Sequence, residues 1–187
     1  MQQTLFLAST SPRRFELLSS LDIPFDVLHI NVPEIKSPNE LPETYVQRLS
    51  RDKAIAGIEM TIGKRIVIGA DTIGVLDDLV LEKPRDESDA ILMLKQLSGR
   101  THTVLTGLTV ATETKSITDV IKAEVTFRKL SEEEIIKYVA TKEPLDKAGS
   151  YGIQGRGGAF VKSINGNYQA IIGLPLAHLI EMLSDIK

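Results

Sequence analysis

The sequence predicts a single domain of the α/β class. Apolar runs typical of strands alternate along the chain with segments that carry apolar residues at helical spacing, as in a sheet covered by helices. The run 65–70 is continuous and rich in β-branched residues, which is typical of a strand buried on both faces. A length of 187 residues lies within the range that one hydrophobic core usually serves.

The first half of the chain predicts strands and helices in alternation. Ser11 followed by Pro12 is typical of a helix start, with Ser11 at the N-cap and Pro12 at the first helical position. The strand that begins at residue 65 is predicted to end at Asp71, which would place this carboxylate at a strand end. The predicted strands cover 4–8, 25–30 and 65–70, and a second helix covers about 44–60.

The second half predicts hairpins, helices and a glycine-rich loop. The segment 146–158 carries five glycines in thirteen residues, too many for a helix or a strand interior, and is predicted to be a loop. Ser131 and Glu134 form a capping-box pattern that predicts a helix start. The predicted hairpins are 73–81, 101–127 and a third that turns at 165–167 and ends in a strand to 172, and the predicted helices are 86–97, 131–141 and one that begins near Pro175.

Composition excludes several classes of site and partner. The chain contains no cysteine, which excludes disulfide frameworks, thiolate zinc sites and cysteine nucleophiles. Its three histidines, which stand without helical pairing, disfavour a zinc or iron site and leave Mg²⁺ or Mn²⁺ open. A net charge of −3 gives no general attraction for nucleic acid. We expect a cytoplasmic protein, because no apolar run reaches the ~20 residues of a membrane helix and the N-terminus lacks a basic segment.

Arg13 and Arg14 stand in the first turn of the predicted N-terminal helix. The helix dipole is positive there and disfavours cations by roughly 0.3–1 kcal/mol each, so stability alone does not explain the pair. One interpretation is that both arginines face solvent or pair with a nearby carboxylate such as Glu16. The other is that an anion binds at this helix N-terminus, where guanidinium groups and backbone N–H groups converge on phosphate oxygens.

Acidic and basic residues elsewhere are candidates for a metal and phosphate site. Asp71, Glu34 and Glu82 supply the carboxylate oxygens that Mg²⁺ prefers when it shares coordination with substrate phosphates. Lys53 and Lys83 add cations close to these acids in the sequence. The alternative is ordinary: Asp71 can be a turn residue or a helix cap, and each of the others can be a solvated surface charge.

Serine and glycine motifs do not indicate a known catalytic loop. Ser9 and Ser11 lie outside a G-x-S-x-G elbow, and we interpret them as capping residues rather than nucleophiles. The glycine-rich loop matches neither a Walker nor a Rossmann pattern. Gln154 within it carries an amide with a donor and an acceptor, which complements the imide edge of uracil or thymine, although it can equally be a plain loop residue.

Taken together and in this order, these segments resemble the Maf family of nucleotide pyrophosphatases along essentially the whole chain. The resemblance implies a single domain over 1–187, with a fold similar to that of inosine triphosphate pyrophosphatases: an elongated mixed sheet flanked by helices, with the site in a cleft between two lobes. The matching motifs are LASTSPRR at 7–14, GADT at 69–72, EKP at 82–84, DKAGSYGIQG at 146–155 and GLPL at 173–176.

The resemblance also implies a reaction and the residues that perform it. The family cleaves nucleoside triphosphates between the α- and β-phosphates with a divalent cation, and the residue matching Asp71 is its proposed general base. Substrate choice is set by the positions of Arg13, Thr72 and Gln154, a set similar to the branch that acts on dTTP and UTP. The resemblance also places Ser9 among the substrate-binding residues, and it leaves Arg14, Lys53 and Lys83 to hold phosphate.

Two other functions remain compatible with the same motifs. A nucleotide-sensing regulator of cell division would keep the pocket without the turnover. A pyrophosphatase for non-canonical purine nucleotides would perform the same hydrolysis on another base. A homodimer is the expected assembly, because two-fold dimers are the commonest oligomers.

Overall fold

The computed structural model describes residues 4–186 and contains one mixed sheet of seven strands with helices on both faces. The strand order is β2-β1-β3-β5-β6-β7, and β4 pairs with one end of β3. β1 is parallel to β2 and β3, whereas the remaining pairs are antiparallel. The strands are β1 Thr4–Ala8, β2 Asp26–Val27, β3 Arg65–Leu76, β4 Leu79–Leu81, β5 Thr101–Ala111, β6 Ser116–Phe127 and β7 Val161–Gly166. The helices are α1 Pro12–Ser19, α2 Pro42–Glu59, α3 Glu87–Leu97, α4 Glu132–Val139, α5 Tyr168–Ile172 and α6 Leu176–Asp185.

Most local predictions are confirmed. The long hairpin is formed by β5 and β6, with its turn between Ala111 and Ser116. The capping box is present, since the Ser131 hydroxyl accepts from the Glu134 N–H and the Glu134 carboxylate accepts from the Ser131 N–H. The glycine-rich segment forms short 3₁₀ turns rather than a regular helix or strand. Such short-range signals work because they depend on neighbours in the chain.

Helix α2 packs closely on one face of the sheet because two glycines leave room for its backbone. A Cβ atom on Gly69 of β3 would lie 2.2 Å from the Ser50 carbonyl oxygen, and one on Gly107 of β5 would lie 2.3 Å from the Val46 carbonyl oxygen. No side chain fits at those distances. The close approach brings Lys53, one turn further along α2, against the sheet.

The two larger hydrophobic cores lie at opposite ends of the long strands, and a smaller third cluster packs α2 on β3 and β5 around Leu49. The first packs β1, β3 and β5 against α1, α5 and α6, with Leu7, Leu18 and Leu179 fully buried. The second packs the far ends of β3, β5 and β6 against α3 and α4 around Leu94 and Phe127. The sheet is common to both cores, so the two lobes share their central strands. No helix in residues 4–186 has the length and apolar character needed to cross a membrane.

Two predicted boundaries and one predicted element type are wrong. β2 spans only Asp26–Val27, because its pairing with β1 covers two residues. β3 does not end at Asp71 but continues to Leu76, since β5 pairs with it on one side as far as Val75. The predicted strand before residue 172 is helix α5, whose N-cap Asn167 accepts from the Ala170 N–H. A five-residue apolar run has no reliable period, and the cap and the packing on the sheet decide its conformation.

Candidate active site

One cavity of about 940 Å³ lies between the two lobes and gathers every site residue predicted from the sequence. These side chains come from the segment after β1, α1, the loop before α2, α2 itself, β3, the segment after β4 and the glycine-rich loop. The predicted residues that line the cavity are Ser9, Arg13, Arg14, Glu34, Lys53, Asp71, Thr72, Glu82, Lys83 and Gln154. Residues as much as 145 positions apart in sequence, between Ser9 and Gln154, therefore share one site.

A gap in the sheet forms the floor of this cavity. The pairing of β1 with β3 ends at Gly69, and the pairing of β4 with β3 begins at Gly74. Between these points, within the described chain, β3 has a strand partner only on the β5 side. Asp71 and Thr72 lie in the gap and point to opposite faces of the sheet, because side chains alternate along a strand. Both border the cavity.

On the Asp71 face, Lys53 bridges two carboxylates. Its Nζ donates to Asp71 Oδ1 at 2.5 Å and to Glu34 Oε1 at 2.7 Å. Lys53 and Asp71 are 8% and 7% exposed, so this is a buried ion pair, whereas the Glu34 side chain is half exposed. Water screens the Lys53–Asp71 contact far less than the Lys53–Glu34 contact. The buried pair holds the Lys53 and Asp71 side chains in one orientation.

The buried and charged environment of this face shifts the pKa of two neighbouring groups, Glu34 and Tyr45. Burial acts to raise the pKa of Glu34, but the hydrogen bond and charge of Lys53 outweigh it and hold the pKa below its ordinary value. Burial and then the negative charges of Asp71, Glu82 and Glu34 raise the pKa of Tyr45 to about 12. Tyr45 remains a neutral donor and binds the Glu34 backbone oxygen at 3.0 Å. Glu34 is therefore held through both its side chain and its backbone.

On the Thr72 face, the Arg14 guanidinium meets only neutral oxygens. It donates to the Gly173 carbonyl at 2.9 Å, to Ser9 Oγ at 3.2 Å and to Thr72 Oγ1 at 3.2 Å. Within residues 4–186, Arg14 has no ion pair. Burial lowers the pKa of Arg14, and the more distant charges of Asp71 and Glu34 oppose this shift. A half-buried cation without a counter-charge is costly, and an anionic ligand would compensate it.

The hydroxyl group of Thr72 has a defined direction. Buried Thr106 donates its one hydroxyl hydrogen to the Ala170 carbonyl at 2.7 Å. In the 2.9 Å contact between Thr72 and Thr106, the donor must therefore be Thr72. Since Thr72 also accepts from Arg14, its hydroxyl offers a ligand only a lone pair. Thr106 was not identified from the sequence, because only strand pairing brings it beside Thr72.

The serine predictions need one correction. Ser11 occupies the N-cap position of α1, but its side chain makes no capping bond there. The Ser9 hydroxyl instead accepts from the Ser11 N–H and from Arg14, which joins the end of β1 to the helix start. Ser9, two positions before the N-cap, therefore binds the Ser11 N–H at the helix start. It serves to orient Arg14 rather than to cap α1.

Arg13, Lys83 and Glu82 border the cavity without ion pairs in the described part of the chain. Glu82 and Lys83 are exposed and Arg13 is partly exposed. The cavity therefore carries three cations, Arg13, Arg14 and Lys83, that form no ion pair with a carboxylate of the described residues. Gln154 is also exposed, at the tip of a turn in the glycine-rich loop, with its side chain on the cavity.

The carboxylates do not form a ready-made metal cage. Residues 4–186 contain no group of three or more His, Asp or Glu side chains placed to hold a metal ion. Glu34 and Asp71 nevertheless converge on one cation, the ammonium group of Lys53, and each uses one of its two oxygens for that contact. This donor set of oxygens suits a hard cation that takes its remaining ligands from phosphate and water.

Comparison with known proteins identifies the family of the chain. The family model described as Maf-like protein matches residues 4–186. The chain is 49% identical over 184 residues to the dTTP/UTP pyrophosphatase of Escherichia coli K12. The aligned residues cover 98% of this chain and 93% of that protein. The protein of the same name from Yersinia pestis is 51% identical over 180 residues, with 96% and 91% covered. That from Photorhabdus laumondii is 47% identical over 182 residues, with 97% and 93% covered.

Proposed function

The chain belongs to the Maf family, and from that premise we propose that it is a pyrophosphatase that hydrolyses dTTP and UTP to the nucleoside monophosphate and pyrophosphate. The observation that carries the proposal is the union, in one cavity of about 940 Å³, of unpaired cations with a buried carboxylate. Arg14 and Lys83 supply positive charge for a triphosphate, and the relatives named above are dTTP/UTP pyrophosphatases.

Asp71 is the proposed base for the attacking water. Its Oδ1 is bound by Lys53, which leaves Oδ2 to accept a proton as water attacks the α-phosphorus. The bond from the α-phosphorus to the bridging oxygen breaks, and pyrophosphate leaves. Arg14 and Lys83 hold phosphate oxygens and stabilise the charge that develops on them. Lys53 holds Asp71 in one orientation through the 2.5 Å contact.

A divalent cation, Mg²⁺ or Mn²⁺, is the proposed cofactor. Glu34, Asp71 and Glu82 would hold it together with phosphate oxygens, because Mg²⁺ prefers oxygen ligands and shares its coordination with substrate phosphates. When bound, the ion neutralises phosphate charge and polarises the phosphoryl group. Loss of pyrophosphate release with EDTA, and its recovery with Mg²⁺ or Mn²⁺, tests this assignment.

The base is proposed to lie against Arg13, Thr72 and Gln154. The Thr72 hydroxyl is a pure acceptor, so it complements an N–H donor such as N3–H of uracil or thymine. The Gln154 amide N–H can donate to one of the carbonyl oxygens beside N3, O2 or O4, on the same edge. Cytosine presents an acceptor at N3 and is expected to bind less well.

A panel of triphosphates tests the function directly. Pyrophosphate release from dTTP, UTP, dCTP, dGTP and inosine triphosphate should give the highest kcat/KM for dTTP and UTP. A preference for inosine triphosphate would replace the proposal with the purine house-cleaning activity. Tight binding of dTTP that remains intact after overnight incubation with Mg²⁺ or Mn²⁺ would favour a nucleotide sensor.

The proposal extends to location and assembly. We place the enzyme in the cytoplasm, where pyrimidine nucleoside triphosphates are made and consumed, and as a homodimer, the commonest closed assembly. Fractionation of cells tests the first statement. Sedimentation equilibrium at micromolar concentration tests the second, and a single species of 20.6 kDa would exclude the dimer.

A further inference from the structure

A tight turn in the glycine-rich loop faces the cavity. The Gly155 N–H donates to the Gly152 carbonyl at 3.1 Å, which makes Ile153 and Gln154 the two central residues of the turn. All four residues, the 152–155 turn, line the cavity. None of them carries a charge. This part of the wall therefore differs from the ionic parts that contain Asp71 and Arg14.

One pair of side chains holds both ends of the 152–155 turn. The Tyr138 hydroxyl donates to Glu143 Oε1 at 2.9 Å and accepts from the Gly152 N–H at 3.1 Å. The Glu143 carboxylate also accepts from the Arg156 N–H at 3.1 Å and the Gly157 N–H at 3.2 Å. The Tyr138–Glu143 pair thus fixes the residue at the start of the turn and the two residues just after it.

The packing around the pair is tight. Tyr138 is 5% exposed. Burial acts to raise the pKa of Glu143, but the backbone N–H groups of Gly157 and Arg156 outweigh it and keep the pKa below its ordinary value. A Cβ atom on Gly155 would lie 2.4 Å from Glu143 Oε1, so the turn rests directly on the carboxylate. Movement of this carboxylate must move the turn.

We propose that Tyr138 and Glu143 are positioning residues that set the 152–155 turn against the nucleoside part of the substrate. The inference rests on the proposed function, because it assigns the phosphates to the cationic walls and the uncharged base and sugar to the uncharged turn. Neither side chain touches the reacting atoms. Their loss weakens nucleotide binding and leaves the chemical step and the phosphate contacts intact.

The experiment compares Glu143→Gln, Tyr138→Phe and the double variant with the wild-type enzyme. Glu143→Gln places an amide N–H against a backbone or hydroxyl donor, and Tyr138→Phe removes the bond to Gly152. Glu134→Gln is the matched control, since Glu134 also accepts a backbone N–H but lies outside the cavity. Gly155→Ala adds a methyl group that would collide with the Glu143 carboxylate. It therefore disturbs the contact between the turn and Glu143 by a change in the turn itself.

Three quantities separate positioning from general damage. We expect KM for dTTP to rise about tenfold in the Glu143, Tyr138 and Gly155 variants, with kcat within about twofold of wild type. The inhibition constant of inorganic tripolyphosphate, which has only the phosphate half, should stay within about twofold. The double variant should be no worse than the worse single one, because both side chains hold one turn. Glu134→Gln should behave as wild type.

Binding of a non-hydrolysable α,β-methylene dTTP, measured by calorimetry, keeps this inference separate from the proposed function. If the wild-type protein binds the analogue but releases no pyrophosphate from dTTP, the proposed function fails. The role of the Tyr138–Glu143 pair is then still tested by the tenfold rise in Kd that its variants should show. Wild-type nucleotide affinity in folded Glu143→Gln and Gly155→Ala overturns the inference. So does an equal loss of tripolyphosphate affinity, or no binding of the analogue to wild-type protein.

Discussion

Asp71 and Thr72 are neighbours on β3, but their side chains point to opposite faces of the sheet. The charged groups around them are organised differently on these two faces. On the Asp71 face, Lys53 is neutralised by direct contact with carboxylates. On the Thr72 face, the cation of Arg14 is held only by neutral oxygens. The first face presents the Asp71 carboxylate in a fixed orientation. The second retains positive charge for an anion. One strand can serve both tasks because its side chains alternate.

The largest effect is expected from Asp71→Asn, which removes the proposed base while preserving shape. The rate of pyrophosphate release from dTTP should fall about 10³-fold, or about 4 kcal/mol in activation free energy. Circular dichroism checks that the fold is intact, and Asp89→Asn serves as the control, because the Asp89 carboxylate pairs with the exposed Arg85 outside the cavity. Turnover within threefold of wild type would remove Asp71 from the mechanism.

The next effect concerns His102, which lines a small cavity of about 50 Å³ adjoining Thr72. Burial lowers the pKa of His102 from 6.5 to about 4, so the folded protein keeps it neutral while the unfolded chain takes up a proton below pH 6.5. The resulting stability is present above pH 6.5 and is lost as the pH falls towards 4. At about 1.4 kcal/mol per pKa unit, the loss amounts to about 3 kcal/mol.

Urea unfolding between pH 7 and 4.5 measures this dependence. His102→Gln removes the titrating group and should flatten the slope. Tyr151→Phe removes the 2.9 Å hydrogen bond to His102 but keeps the imidazole buried, so its slope should match wild type. Identical slopes in His102→Gln and wild type would show that carboxylates alone cause the acid sensitivity.

Arg14→Lys tests whether the Thr72 face needs a guanidinium or only a positive charge. A lysine ammonium cannot reach Ser9, Thr72 and the Gly173 carbonyl at once, so the cation loses its orientation. We expect kcat/KM for dTTP to fall roughly 30-fold, or about 2 kcal/mol.

Arg128→Lys is the control for Arg14→Lys, since Arg128 pairs with Glu134 outside the cavity. Equal losses in the two variants would mean that the effect is one of stability rather than of ligand binding.

The smallest effect is expected from Thr106→Val, which keeps the volume of the side chain but removes the acceptor of the Thr72 hydroxyl. The freed hydroxyl can then donate as well as accept, so the ratio of kcat/KM for UTP over CTP should fall roughly fivefold, or about 1 kcal/mol. Thr106→Ser should restore the ratio.

Thr109→Val provides the matched comparison for Thr106→Val. Thr109 is equally buried on β5, but its hydroxyl contacts Ser50 and Thr118. A changed UTP to CTP ratio in Thr109→Val would show that any buried hydroxyl on β5 has this effect.

The sequence predicted the elements whose signals are local. Pro12, the capping box at Ser131 and the turn of the long hairpin were placed correctly because each depends on residues within a few positions. The run before residue 172 was misassigned because five residues carry no decisive period. Asp71 was misplaced at a strand end because the continuation of β3 depends on β5, about 35 residues later in the chain.

The candidate residues themselves were available from the sequence, through charge, glycine content and motif order. What only the tertiary structure decided is how they are paired: Lys53 with two carboxylates, Arg14 with neutral oxygens, and Thr72 with a buried threonine that fixes its proton. Residue type and helix position are encoded locally. The compensation of a charge depends on atoms brought within about 3 Å by folding, and those partners are distant along the chain.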